Sequence, residues 1–63
     1  MNMDKLSKIN KIEKQILELE EEKGYYHNLI INGNDNEEVI TEYTFLDDQI
    51  TELMKIREQL IEG

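Results

Sequence analysis

Residues 35–60 read Asp35-Asn36-Glu37-Glu38-Val39-Ile40-Thr41-Glu42-Tyr43-Thr44-Phe45-Leu46-Asp47-Asp48-Gln49-Ile50-Thr51-Glu52-Leu53-Met54-Lys55-Ile56-Arg57-Glu58-Gln59-Leu60, with no glycine or proline. Apolar side chains recur at Val39, Tyr43, Leu46, Ile50, Leu53 and Leu60, in steps of 4, 3, 4, 3 and 7, and Arg57 takes the slot inside the last step. That period is a heptad seam, the stripe a helix buries against one partner helix. Asp47 sits just off the stripe.

The first half of the chain supplies the partner. Ile9, Ile12, Ile16, Leu19, Tyr26 and Ile30 keep the same spacing, with Lys23 in the remaining slot, and Leu6, Leu17 and Leu29 are expected to widen the stripe. Gly24 costs a helix about 1 kcal/mol relative to alanine. Tyr26 and Ile30 nevertheless stay in phase with the residues before it, so one helix is expected to run through it. Four lysines in the opening turns oppose the helix dipole, so Met1 to Asp4 are expected to fray.

Asn32-Gly33-Asn34-Asp35-Asn36 is the turn-like cluster of the sequence. Gly33 suits a helix stop. Asn34 or Asp35 is expected to cap the second helix, the latter through a capping box with Glu38. A turn this short makes the helices antiparallel neighbours. The expectation is one all-α domain over residues 1–63: a helix from about 5 to 32, a turn at about 33–35 and a helix from about 36 to 61. Ile30 should then face Val39, Tyr26 face Tyr43, and Ile9 face Leu60. Pairing of two such hairpins into a four-helix arrangement remains open, because so short a chain buries little by itself.

Charge narrows the function. The net charge is −8, which argues against a nucleic-acid partner. Residues 1–15 carry four lysines against two acids, so the acidity is concentrated in the rest of the chain. No run of apolar residues is long enough to span a membrane, and no signal-peptide pattern follows the N-terminal lysines. The lack of cysteine fits a reducing, cytoplasmic setting.

The second helix has two further faces. On one flank lie Ile40, Thr44, Asp47, Thr51 and Met54; on the other lie Phe45, Gln49, Glu52 and Ile56. A single partner helix covers neither. Phe45 and Ile56, with Ile61 nearer the seam, form a candidate packing or dimer flank, and the Asp47 side is a candidate docking face. Self-sufficient catalytic sets are missing: there is no phosphate-binding glycine loop, no cysteine, and a single serine and a single histidine. The acid run Glu18, Glu20, Glu21 and Glu22 reads as a solvated helix face, and His27 as a surface or seam-edge histidine. Asp47 and Asp48 point about 100° apart, so they do not form a carboxylate pair. On chemistry alone, Asp47 is a surface acid.

The run from Asn34 to Ile50 resembles the small aspartyl-phosphate phosphatases of the stage-zero sporulation protein E family. These are short acidic helical hairpins of spore-forming bacteria that dephosphorylate the master sporulation response regulator. Members carry a loop rich in Gly, Asn and Asp, then an acid and a Val, then the signature S-Q-E-L-D and a nearby apolar residue. Gly33, Asp35, Val39, Leu46, Asp47 and Ile50 fit that frame, and chain length and layout match throughout. Within the signature only Leu46 and Asp47 coincide; Tyr43, Thr44 and Phe45 replace Ser, Gln and Glu.

The resemblance implies a phosphatase that negatively regulates sporulation. Asp47 would be its catalytic residue, and Ile40, Thr44, Thr51 and Met54 its contacts with a phosphorylated response regulator. It implies no cofactor of the chain's own, the divalent metal belonging to the regulator. Two other classes remain: a non-catalytic helical interaction module that binds itself or a regulator, and a phosphotransfer helix using His27 within a four-helix bundle.

Overall fold

The seam residues decide how the chain folds. The computed structural model describes residues 3–63, which form two helices, α1 (Met3–Ile31) and α2 (Glu37–Glu62). They lie antiparallel as a rod of 47 × 14 × 13 Å. At 1.5 Å per residue, α1 alone spans about 43 Å, so the two helices run side by side for nearly the whole length. Across the interface Lys23 meets Asp47 and His27 meets Tyr43, so each step forward on α1 is matched by a step back on α2. This is the expected antiparallel sense, with Tyr43 stacked on His27, one residue past the Tyr26 expected to face it.

Burial follows the heptad slots. Ile9 and Ile16 of α1 and Leu46 and Ile50 of α2 form the buried core. Ile12, Leu19, Lys23, Tyr26, Leu29 and Ile30 on α1 are half-buried, as are Val39, Tyr43, Leu53, Arg57 and Leu60 on α2. Both polar slots, Lys23 and Arg57, therefore lie in the interface. Long aliphatic stems let such residues cover apolar surface while the charge reaches water, and the Lys23 ammonium does reach Asp47 at the interface edge. Leu6 and Leu17 are exposed, which corrects the expectation that they widen the stripe. They project from the outer side of α1, and one partner helix has nothing to put there.

The turn is closed by backbone hydrogen bonds. The N–H of Gly33 donates to the carbonyl of Ile30 at 3.1 Å, and the N–H of Asn34 donates to the carbonyl of Leu29 at 2.8 Å. This is a Schellman closure, and Gly33 adopts the left-handed φ of 90° that it requires. The N-cap of α2 is Asn36, not Asn34 or Asp35. Its backbone is extended (φ −70°, ψ 168°), and its Oδ1 accepts the N–H of Val39 at 3.0 Å. Asn34 is already engaged in closing α1, so the cap falls to the last residue before the helix.

At the other end, α1 is already helical at Met3 and Asp4, so the expected fraying does not extend to these two; Met1 and Asn2 lie outside the described residues. Gly24 is helical, and α1 passes through it without a break.

Gly24, inside α1, and Gly33, in the turn, should respond oppositely to alanine. A Cβ at Gly24 would meet nothing within 4 Å, so Gly24→Ala should stabilise the fold by up to about 1 kcal/mol. Gly33→Ala should destabilise it by about 1 kcal/mol or more, because φ there is positive. Asn36→Ala should cost about 1 kcal/mol, while Asp35→Ala should be nearly neutral. Urea unfolding of the four variants checks the set; equal losses at positions 35 and 36 would contradict the cap assignment.

Candidate functional site

Midway along the rod, at the edge of the interface, Lys23 and Asp47 form an ion pair. The Lys23 ammonium donates to Asp47 Oδ1 at 2.6 Å, joining residues 24 apart in sequence. Lys23 arrives there because its Cα occupies a seam slot, where an ammonium cannot stay buried without a partner. The stem runs along the seam and the charge emerges at the Asp47 edge. The Lys23 side chain is 28% exposed and that of Asp47 51%, so the carboxylate is tethered yet accessible from solvent.

Tyr43 extends this edge. The Lys23 ammonium lies 5.3 Å from the Tyr43 ring centroid, within cation–π range. The His27 ring stacks on Tyr43 at 6.1 Å with planes 28° apart. Asp47, Lys23, Tyr43 and His27 thus form a continuous line along one edge of the hairpin. One turn beyond Asp47, Thr51 Oγ1 donates to the Asp47 backbone carbonyl at 3.0 Å. Tyr25 packs edge-on to Tyr26 at 5.2 Å, nearer the turn.

The hydrogen bond to Asp47 raises the pKa of Lys23 above the ordinary lysine value of 10.5; the Asp47 charge, Tyr43 and Glu20 add to this, and partial burial opposes it. A raised lysine pKa stabilises the fold fully below the unfolded value, about 10.4, and that contribution is lost as pH rises through the folded value.

Ile40, Thr44, Thr51 and Met54 are exposed around Asp47. Phe45 (55% exposed) and Ile56 (44%) lie on the opposite flank. There the helices leave an open groove of about 740 Å³, with Leu19, Phe45 and Leu53 in its lining and Glu18, Glu22, Asp48 and Glu52 around it. The acid run is therefore split, with Glu18 and Glu22 bordering the groove. Lys55 reaches Glu52 at 3.9 Å within α2.

The Lys23–Asp47 tether and the groove were not anticipated. The signal for the first was present: register alignment sets the Lys23 slot beside the residue just off the α2 seam. Among the described residues, no group of three or more His, Cys, Asp or Glu side chains is placed to hold a metal ion. Nor is any helix among them long and apolar enough to cross a membrane.

Comparison of the chain with protein-family models, with curated proteins and with solved structures finds no match.

A double-mutant cycle tests the tether. Lys23→Met and Asp47→Asn should show a coupling of about 0.2–1 kcal/mol, the range of partly exposed ion pairs, shrinking in high salt. In the wild type the coupling should fade above the lysine pKa. A cycle with no coupling at low salt would mean that the pair does not hold Asp47.

Proposed function

We propose that this hairpin is an aspartyl-phosphate phosphatase acting on a response regulator, with Asp47 as the residue that reaches the phosphoryl site. The observation that carries the reading is the fixed, accessible carboxylate of Asp47. It stands at mid-rod on a long helix, tethered through Lys23 and bordered by the exposed Ile40, Thr44, Thr51 and Met54. The sequence frame around Leu46 and Asp47 that resembles the sporulation phosphatases supports the same residue.

The chemistry asks little of so small a protein. A phosphorylated regulator contributes the acyl phosphate, an acidic pocket and a divalent metal. The missing element is a polar group that aligns water for in-line attack. Water oxygen bonds to phosphorus while the bond from phosphorus to the regulator's carboxylate oxygen breaks. The carboxylate leaves as such, and the water's protons end on inorganic phosphate or in solvent. Asp47 would orient the attacking water through its acceptor oxygens, and a rigid helix holds that group in place.

Lys23 answers an electrostatic difficulty. A bare carboxylate is repelled by a phosphoryl group and by acids around it. An ammonium bonded to Asp47 offsets that repulsion and restricts the carboxylate rotamer. Tyr43 in place of the signature serine fits the same edge, since its ring lies beside the Lys23 ammonium.

A second reading, a non-catalytic interaction module, draws on Phe45. The signature glutamate is replaced by an exposed aromatic residue on the flank away from Asp47, which is a binding feature rather than a catalytic one.

Phosphoryl release separates the two. Substoichiometric chain mixed with a radiolabelled phosphorylated sporulation regulator should free phosphate well above the regulator's own decay. Asp47→Ala should abolish the release, with helicity retained by circular dichroism. Lys23→Met should reduce it while leaving the fold in place. Binding without release supports the interaction module, and full activity in folded Asp47→Ala removes Asp47 from the mechanism.

A further inference from the structure

The flank away from Asp47 carries apolar side chains inside an acidic rim. Leu19 and Leu53 are half-buried in the lining of the groove, and Phe45, also in its lining, is 55% exposed. Glu18 and Glu22 border it from α1 and Asp48 and Glu52 from α2, with the amides of Gln15 and Gln49 between them. No lysine or arginine belongs to the lining. Lys55 approaches Glu52 only to 3.9 Å, with both side chains largely in solvent, so it does little to neutralise the rim. An exposed aromatic among leucines, enclosed by carboxylates of one sign, is a surface complementary to an apolar stripe edged with positive charge.

The walls of the groove limit what fits. Its lining runs from Gln15 to Glu22 on α1 and from Phe45 to Leu53 on α2. That is roughly 10–12 Å, about two helical turns. Both walls are helices whose backbone hydrogen bonds are made internally. Neither offers the open N–H and C=O groups that an extended peptide pairs with, whereas a helix arrives with its own backbone satisfied.

Charge selects among helices. A second copy of this chain centred on the groove would set its four carboxylates against the same four. A nucleic acid or an anionic membrane surface would meet the same repulsion. The bases of α1 on this side, Lys8 and Lys11, lie two turns or more before Glu18. Toward the turn, the flank of α2 adds Glu38 and Glu42. A positive helix is therefore attracted over the groove and toward the turn, and repelled beside Lys8 and Lys11.

We propose that this groove binds a cationic amphipathic helix of a partner protein, completing a three-helix bundle. An apolar stripe with helical spacing packs on Leu19, Phe45 and Leu53. Lysines or arginines on either side of that stripe meet Glu18 and Glu22 on one wall and Asp48 and Glu52 on the other. The Lys23–Asp47 edge lies on the opposite flank and takes no part. The inference is thus independent of the phosphatase reading, and both faces can be occupied together.

The test uses the full chain and a synthetic helical peptide of about 18 residues, with leucines on one stripe, arginines on both sides of it and alanines elsewhere. One control peptide has the same residues in scrambled order, and another has glutamates in place of the arginines. Isothermal titration calorimetry should show one peptide bound per chain, with an affinity that falls as salt rises. The scrambled peptide should bind roughly tenfold more weakly or worse, and the glutamate peptide not at all. The combined variant Glu18→Gln, Glu22→Gln, Asp48→Asn and Glu52→Gln should weaken binding by roughly tenfold or more, as should Phe45→Ala, with helicity kept in both. Amide shifts of the ¹⁵N-labelled chain should concentrate at Leu19, Phe45, Gln49 and Leu53 and spare Ile40, Thr44 and Thr51.

No binding overturns the proposal. So does equal affinity for the scrambled peptide, which would mean that charge alone attracts it, or indifference to the amide and Phe45→Ala variants. Sedimentation equilibrium of the chain alone gives the remaining outcome. A dimer that Phe45→Glu dissociates would show that a second copy, and not a basic helix, covers the groove.

Discussion

Two helices share a single line of contact, and everything else in this protein is arranged around that limit. The seam has seven slots on α2 and seven on α1, yet among the described residues only Ile9, Ile16, Leu46 and Ile50 become buried. A charged residue within so thin an interface has consequences out of proportion to its size. Lys23 lies among apolar slots, and its ammonium must leave the seam at one edge or the other. It leaves at the edge where Asp47 and Tyr43 receive it. A polar residue at a seam position is the usual way a helical pair selects one register at some cost in stability. Here that device also fixes a carboxylate on the surface.

The seam was legible because heptad spacing survives any local irregularity, including Gly24. Residue by residue, the α1 and α2 slots are those named from the periodicity, and the short turn dictated the antiparallel sense. The cap of α2 was not legible. Asn34, Asp35 and Asn36 all have side chains able to cap, and the choice depends on where α1 stops using the chain. Once Asn34 donates back to Leu29, Asn36 is the residue left at the helix entrance. Leu6 and Leu17 misled because apolar identity alone does not say which side of a helix a single partner covers. The Lys23–Asp47 tether belongs to a third kind, requiring both the register and a side-chain direction.

The two flanks of α2 then divide the surface. One carries a tethered acid with modest apolar and hydroxyl neighbours, a small patch suited to a transient encounter. The other carries an aromatic residue, an apolar groove floor and an acidic rim, features suited to a lasting contact. This division bears on the candidate site too. Asp47 was visible in the sequence only through its place in a resembling frame. What the fold adds is Lys23, which turns an isolated surface acid into a positioned one, and Tyr43, whose ring lies beside the Lys23 ammonium.

The proposed phosphatase function requires the Asp47 edge to be the face that meets a phosphorylated regulator. The most direct measurement is an NMR titration of the ¹⁵N-labelled chain with a receiver domain held in its beryllofluoride-activated form. The account predicts amide shifts concentrated at Ile40, Thr44, Asp47, Thr51 and Met54, with Phe45, Gln49 and Ile56 undisturbed. Shifts confined to the Phe45 flank, or no shifts with any regulator of the same genome, would contradict it.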